Sequence, residues 1–476
     1  IYSRNGPGLA VGDINGDGLE DFFAGGAIGF PGALFIQNKA GGFNKSADQQ
    51  ALQLDASYED MGAEFFDADQ DGDLDLYVVS GGNENLEGTS ALQDRLYLND
   101  GTGRFTRDKQ ALPTMFTSGS RVKIADFDGD GDPDLFVGGR LVPRSYPLPA
   151  RSYLLRNESN DGKAKFVDIT ESAAPGLMEA GMVTDAAWTD FDLDGQLDLI
   201  VVGEWMPITF LRNQQGTFKD QTNEYGMSKT TGWWYSVLAD DFDNDGDQDL
   251  VVGNLGLNYK YQASEEESFD VYAYDYDKNG NMDIVLGYYY DGTQYPLRGR
   301  QCSSQQIPAI SLKFEDYNSF AEATLEDVYS EGDLKAALHY QAFTFASSYV
   351  ENHGDESFTV SQLPNQVQLS SINGIVSGDY NQDGHQDLVV AGNMYNAEVE
   401  TTRNDAGYGS LLLGNGQGEF SPVPYAESGI YLPHDTKELK SLMGKSDQFI
   451  LTANNNDILR VLRWTPGNSD VGLATR

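Results

Sequence analysis

Seven nine-residue strings of the form Asp-x-Asp/Asn-x-Asp/Asn-Gly-x-x-Asp recur along the chain, at 13–21, 67–75, 126–134, 190–198, 241–249, 275–283 and 379–387. Oxygen-bearing side chains at alternate positions of a tight loop suit a hard cation. Ca2+ takes roughly 6–8 oxygens at about 2.3–2.6 Å, whereas Mg2+ demands near-octahedral geometry and keeps its waters. The spacing therefore assigns calcium ligands in every copy. They are Asp13, Asn15, Asp17 and Asp21 in the first; Asp67, Asp69, Asp71 and Asp75 in the second; and Asp126, Asp128, Asp130 and Asp134 in the third. Asp190, Asp192, Asp194 and Asp198 come next, then Asp241, Asp243, Asp245 and Asp249, then Asp275, Asp277, Asn279 and Asp283, and finally Asp379, Asn381, Asp383 and Asp387. At loop position 7 (Leu19, Asp73, Asp132, Gln196, Asp247, Asn281, His385) the backbone carbonyl is the expected donor. The glycine at position 6 suits a turn with positive φ, where a Cβ would clash. Asn279 and Asn381 replace charged ligands by neutral ones, so those sites are expected to be weaker, with the Asn15 loop intermediate.

Solvated hairpin turns are the plain alternative, but a turn needs one or two Asp or Asn residues rather than four at alternating places. An EF-hand is excluded by the residues C-terminal to the loop. It requires a bidentate Glu at position 12 and flanking helices, and here position 12 is Ala24, Val78, Val137, Val201, Val252, Leu286 or Val390. The flanks, such as DLYVVSGG and DLIVVGEW, read as strands.

The elements that must hold these loops form a repeat: an apolar strand, the loop, a second strand ending near Gly, a third strand, a Gly turn and a fourth strand. GLAVGD, DFFAGG, ALFIQN and GGFNKS illustrate it in the first unit. Four short antiparallel strands in about 60 residues predict an all-β propeller forming one domain over 1–476. The fifth unit lacks an outer hairpin of its own or shares a blade with the sixth, giving seven blades if the two merge and eight otherwise. Residues 301–340 have helical spacing and read as an insert, after which a hairpin, FTFASSYVENHGDESFTVSQLP, resumes the sixth unit. The tail adds three strands without a metal loop.

This DxDxDGxxD-strand-Gly pattern resembles the FG-GAP/VCBS repeats of integrin α-subunit propellers and their bacterial surface relatives. VVGNLGLNYKY and VVAGNMYNAEVET resemble large bacterial FG-GAP proteins that often carry an ASPIC/UnbV segment, a segment not evident here. The resemblance covers nearly the whole chain except the insert and tail. It implies calcium-stabilised blades, an exported location and a role in adhesion or complex assembly.

The net charge of −43 argues against nucleic acid, which requires a basic footprint, and against adsorption to anionic lipid. Seven bound Ca2+ ions would bring it to about −29. Cys302 is alone, so no internal disulfide forms. Carboxylate-rich sites in these numbers make sense where calcium is millimolar, which predicts an extracellular or cell-surface protein, including one at a bacterial outer membrane. No run of about 18 apolar residues spans a membrane. The chain opens inside its first repeat, as expected of a trimmed segment of an export product. Asn44 and Asn157 begin sequons that would suit surface loops.

The ions read as structural, since a catalytic cation keeps an open position beside proton-handling groups. No catalytic or organic-cofactor residues are assigned: G-x-S-x-G, H-E-x-x-H and Walker motifs are missing, and His339, His353, His385 and His434 are dispersed. The leading expectation is a non-enzymatic binding protein for a surface protein or glycan. The alternatives are a lyase-like polysaccharide enzyme and an accessory subunit of an outer-membrane transport or secretion complex docked through the insert. Trp233 to Tyr235, or Tyr288, Tyr289, Tyr290 and Tyr295, are candidate sugar platforms, and packing between blades is the favoured role for them.

Overall fold

The computed structural model describes residues 5–464 apart from 48, 355–356, 398–400 and 446. Each acidic loop joins the first two strands of a sheet and so fixes their antiparallel register. Asp21, at loop position 9, pairs with Gly12, and Asp75, Asp134, Asp198, Asp249 and Asp387 sit at the same place in their sheets.

The first strands, Leu9–Gly12, Asp60–Phe66, Ser118–Ala125, Met182–Thr189, Ser236–Asp240, Gly374–Gly378 and Thr436–Met443, pack side by side in that order, and the last returns to the first. The closed ring makes the fold a β-propeller with these strands around the axis. Second strands such as Asp75–Ser80, Asp134–Leu141 and Asp198–Met206 are buried along their whole length. Covered by a blade on each side, they read as continuous apolar runs. Phe136 and Leu154 of the third blade, for example, share a core with Val183, Leu199 and Val201 of the fourth.

Close packing at the axis depends on small residues. A Cβ on Gly62 would stand 2.6 Å from the Ser120 carbonyl oxygen of the next blade. Charges line the channel and pair across it: Arg121 of the third blade meets Glu438 of the seventh at 2.8 Å, and Lys440 of the seventh meets Glu64 of the second.

The fifth and sixth units differ from expectation. The hairpin of Ser348–Asn352 and Phe358–Gln362 pairs with Asp249–Gly253 and completes the fifth blade, not the sixth unit. Between the halves of that blade the chain builds a separate four-stranded sheet, ordered Thr293–Pro296, Asp283–Tyr290, Phe269–Tyr274, Leu338–Ala342, which carries the sixth loop. The sixth unit is thus nested inside the fifth blade and lies off the ring. Five short helices between Arg300 and Ala336 cover this sheet, with Ile310, Phe314, Phe320 and Leu325 packed on Tyr272 and Val285. The expected helical stretch therefore ends earlier, because Leu338 onward is strand. Tyr288 and Tyr290 lie on the side sheet, and Tyr290 is 71% exposed, so they do not fill a blade interface; Trp234 is fully buried.

Gly62→Val forces a side chain against the Ser120 carbonyl, and a cost of about 1–3 kcal/mol is expected. Urea denaturation of the calcium-loaded protein checks this, and an unchanged midpoint would contradict the close-packed axis.

Candidate metal centre

The backbone of each loop is wound around its own acids. The position 6 glycine has φ between 82° and 99° in all seven loops, from Gly18 to Gly246. Its N–H donates to the position 1 carboxylate at 2.8–3.0 Å in six of them, as from Gly18 to Asp13 and from Gly384 to Asp379. The position 7 N–H donates to the side-chain oxygen at position 5 in every loop, at 2.8–3.1 Å. Position 4 is also left-handed throughout, including Gln70, Leu193, Asn244, Lys278 and Gln382, a feature the consensus does not announce.

Carboxylate oxygens converge within 4.8 Å in five loops: Asp67, Asp69 and Asp71; Asp126, Asp128 and Asp134; Asp190, Asp192 and Asp194; Asp241, Asp243 and Asp245; Asp275, Asp277 and Asp283. In the first and seventh loops an amide takes one place. Asn15 donates to Asp21 at 3.1 Å and Asn381 to Asp383 at 2.8 Å. In the fourth loop a protein cation intrudes, with Arg212 Nε 2.5 Å from Asp192.

Position 9 is out of water in every loop. Asp21, Asp134, Asp198, Asp249 and Asp387 are fully buried, with Asp75 and Asp283 nearly so. Burial pushes their carboxyls up, to about 6 in Asp21 and Asp249 and about 7 in Asp75, Asp134 and Asp198, against backbone hydrogen bonds that pull the other way. Asp134 Oδ2, Asp198 Oδ2, Asp69 Oδ1 and Asp241 Oδ1 are buried without a protein hydrogen-bond partner. Crowded, desolvated carboxylates with unpartnered oxygens are a donor set that fits a hard divalent cation such as Ca2+. In the fifth loop the position 7 side chain is desolvated as well: Asp247 is buried, its Oδ1 is unpartnered, and burial and the neighbouring acids push it up to about 7.

Comparison with known proteins matches residues 13–78, 79–137 and 190–252 to the FG-GAP-like repeat, a span that holds the first five loops. Three FG-GAP-like repeats thus lie within this chain. Cartilage acidic protein 1 of Homo sapiens is 30% identical over 219 residues, covering 44% of this chain and 30% of that protein. The same protein of Mus musculus and of Xenopus tropicalis is also 30% identical over 219 residues, and the match covers 31% of each. The match thus spans about a third of the length of these relatives.

Neighbouring FG-GAP repeats are joined at their loops by an asparagine that motif reading overlooked. The buried position 9 carboxylate accepts from the N–H of the residue ending the third strand: Asn99, Asn157, Asn213 and Asn352 at 2.6–2.8 Å. The side chains of those asparagines then reach two loops at once. Asn213 Nδ2 donates to the Leu197 carbonyl of its own loop at 2.9 Å and to the Phe127 carbonyl of the preceding blade's loop at 2.7 Å. Asn99 bridges Leu74 and Ile14, and Asn352 bridges Gln248 and Phe191, in the same way. Across the ring closure a longer side chain serves: Gln37 Nε2 donates to Glu20 at 2.9 Å and to Met443 of the seventh blade at 3.3 Å. The visible signal was the Asn that ends the third strand in RLYLN, SYLLRN, ITFLRN and SYVEN.

Asn157 belongs to this set, and at 2% exposure it cannot be the surface sequon its tripeptide suggests. His385 bonds Asn244 of the fifth loop through Nδ1 at 2.9 Å, making it a contact between loops. His339 stacks on Tyr272, while His353 and His434 bond Thr359 and Asp457, all far apart in the fold.

Removing the bridge in Asn213→Ala strands the buried Phe127 carbonyl and the half-buried Leu197 carbonyl, and a loss of about 1–3 kcal/mol is expected in urea denaturation. The buried carboxyls also impose a pH effect. Their folded pKa lies above the unfolded value near 3.9, so in chelator their contribution is full below that value and is lost as pH rises towards about 7. Metal-free protein should therefore melt at a lower temperature at pH 8 than at pH 5, and saturating Ca2+ should abolish that fall. Calorimetry in chelator and in Ca2+ checks it; a metal-free melting temperature that climbs over this interval would count against it.

Proposed function

We propose that the chain is an exported, calcium-stabilised, non-enzymatic binding module that presents its propeller to a protein or glycan partner outside the cell. The observation that carries this reading is the set of convergent, desolvated carboxylates at the inner hairpins, with buried oxygens lacking protein partners. Calcium bound there would supply positive charge and coordination that hold the hairpin. The residues themselves do the rest: position 9 anchors the third strand, and the asparagine joins one loop to the next. The loops use their own N–H groups to orient their acids, and no histidine approaches a cluster except His385, whose ring is engaged with Asn244. That arrangement supports fastening rather than catalysis.

An outside location is supported by the calcium demand and by relatives whose name refers to cartilage. Among the described residues no helix is long and apolar enough to cross a membrane, which leaves membrane association through strands untouched.

Each site held at 100 times its Kd adds about 2.7 kcal/mol. Excess EDTA should therefore lower the melting temperature by at least about 5 °C, with recovery on adding Ca2+ but not Mg2+. Surfaces coated with the chain should retain extracellular-matrix or cell-surface components in Ca2+ and release them in EDTA. A thermal transition indifferent to EDTA refutes calcium stabilisation, and coated surfaces that retain nothing refute the binding role.

A further inference from the structure

The fourth loop carries a full set of acids and yet differs from the others at its centre. Asp190, Asp192, Asp194 and Asp198 give it the same four carboxylates as the second, third and fifth loops. Charge alone would rank it above the first, sixth and seventh, each of which has an amide in the set. Its backbone is that of the other loops: Leu193 and Gly195 are left-handed, and the N–H groups of Asp194 and Gly195 donate to Asp190 at 3.0 and 2.9 Å. Nor does strand pairing distort it. Among the described residues β-bulges lie at the strand ends away from the loops, in the fourth blade between Val183 and Asp185.

The difference is a cation supplied by the chain. Arg212 Nε stands 2.5 Å from Asp192 Oδ2, and Nη2 reaches Asp194 Oδ2 at 3.5 Å, so one guanidinium spans loop positions 3 and 5. The Asp192 side chain is 2% exposed and that of Arg212 26%, so water screens the pair little. An ion about 2.3–2.6 Å from the same Asp192 oxygen would lie within about 5 Å of Nε, where two positive charges in a shielded site repel. Asp192 is also neutralised already, and has correspondingly less charge to offer a metal.

The place of Arg212 has a counterpart in each loop-bearing blade of the ring, because it precedes the residue whose N–H the position 9 carboxylate holds. The counterparts are Ile36, Leu98, Arg156, Glu351 and Leu413. The third blade has the same arginine and a different outcome. Arg156 pairs with Glu158 Oε1, two residues on, at 2.8 Å, and Lys165 Nζ shares that glutamate at 2.7 Å. In the fourth blade the residue two places on is Gln214, which offers no carboxylate, and Arg212 folds back on its loop.

We propose that Arg212 is the resident cation of the fourth loop, which takes no calcium and keeps its form when calcium is scarce. Four aspartates at the consensus spacing are here closed by the protein itself. The fifth blade gains from this, since Asn352 Nδ2 donates to the Phe191 carbonyl of the fourth loop at 2.8 Å and so docks on a loop whose shape needs no ion. The assignment rests on the reading of the other loops as calcium sites.

Equilibrium dialysis of the full chain against radiolabelled Ca2+, at a free concentration where wild-type binding has levelled off, tests it with two variants. Arg212→Leu copies Leu98 of the second blade, and Gln214→Glu copies Glu158 and leaves the arginine in place. Each should bind one ion more per chain than the wild type. Calorimetry should show a larger rise in melting temperature from EDTA to Ca2+ for Arg212→Leu than for the wild type, because without metal that variant leaves Asp192 buried beside no cation. Where Arg212→Leu folds, its ion count decides; if it does not fold, Gln214→Glu decides. An ion count equal to that of the wild type overturns the proposal and leaves calcium stabilisation standing, as does an equal or smaller rise in melting temperature. A wild-type chain that binds no calcium overturns both.

Discussion

An aspartate taken out of water at the head of each second strand is the constraint on which the structure turns. A carboxylate stripped of solvent must recover its lost hydration from the protein or from an ion. Asp75 and Asp249 recover part of it by accepting the N–H of Asn99 and Asn352 and the N–H at loop position 2. In accepting, each fixes the height of the third strand against the second, and the side chain of the anchored asparagine is delivered to the preceding blade. One buried charge therefore sets the loop, the sheet and the junction between sheets.

Much of this was legible in the residues. The seven loops, their position 6 glycines, the four-strand plan and the three-stranded tail can be read from local spacing, because hairpins are local and the metal consensus is dense. The asparagine bridges were not read: a single polar residue at the end of an apolar strand has no periodicity, and its partners lie in another blade, 86 residues away for Asn213 and Phe127. Nor could spacing decide where the sixth loop belonged. DYDKNGNMD has the same form as its ring-bound counterparts, and only pairing across about 100 residues, between Asp249–Gly253 and Ser348–Asn352, shows that it is nested in the fifth blade. The bulges escaped for a similar reason, since a residue skipped by the ladder looks in sequence like any other strand residue.

The two ends of the propeller are built on opposite principles. At the loop end, ladders run in register up to the buried aspartate and variation is confined to single ligands such as Asn15 and Asn381. At the other end the register breaks in blade after blade, buried ion pairs replace apolar contacts, and the nested sheet presses aromatic rings against a strained tryptophan. Stability and individuality are thus separated along the axis, so that the repeat keeps one form at one end while the other is shaped independently.

The nested sheet also bears on the order in which the molecule assembles. Blades built from consecutive hairpins can fold as soon as they are synthesised, because their contacts are close in sequence. The fifth blade is different: its inner pair, Ser236–Asp240 and Asp249–Gly253, must wait for Ser348–Asn352 to cover an open strand edge. During that interval a buried, β-branched strand stands half-paired beside four finished blades, which is the configuration most open to pairing with another chain. The side sheet and its helices lie between the two halves of that blade, so the pairing of Val252 with Ser348 closes the loop that contains them, and completion of the ring requires that closure.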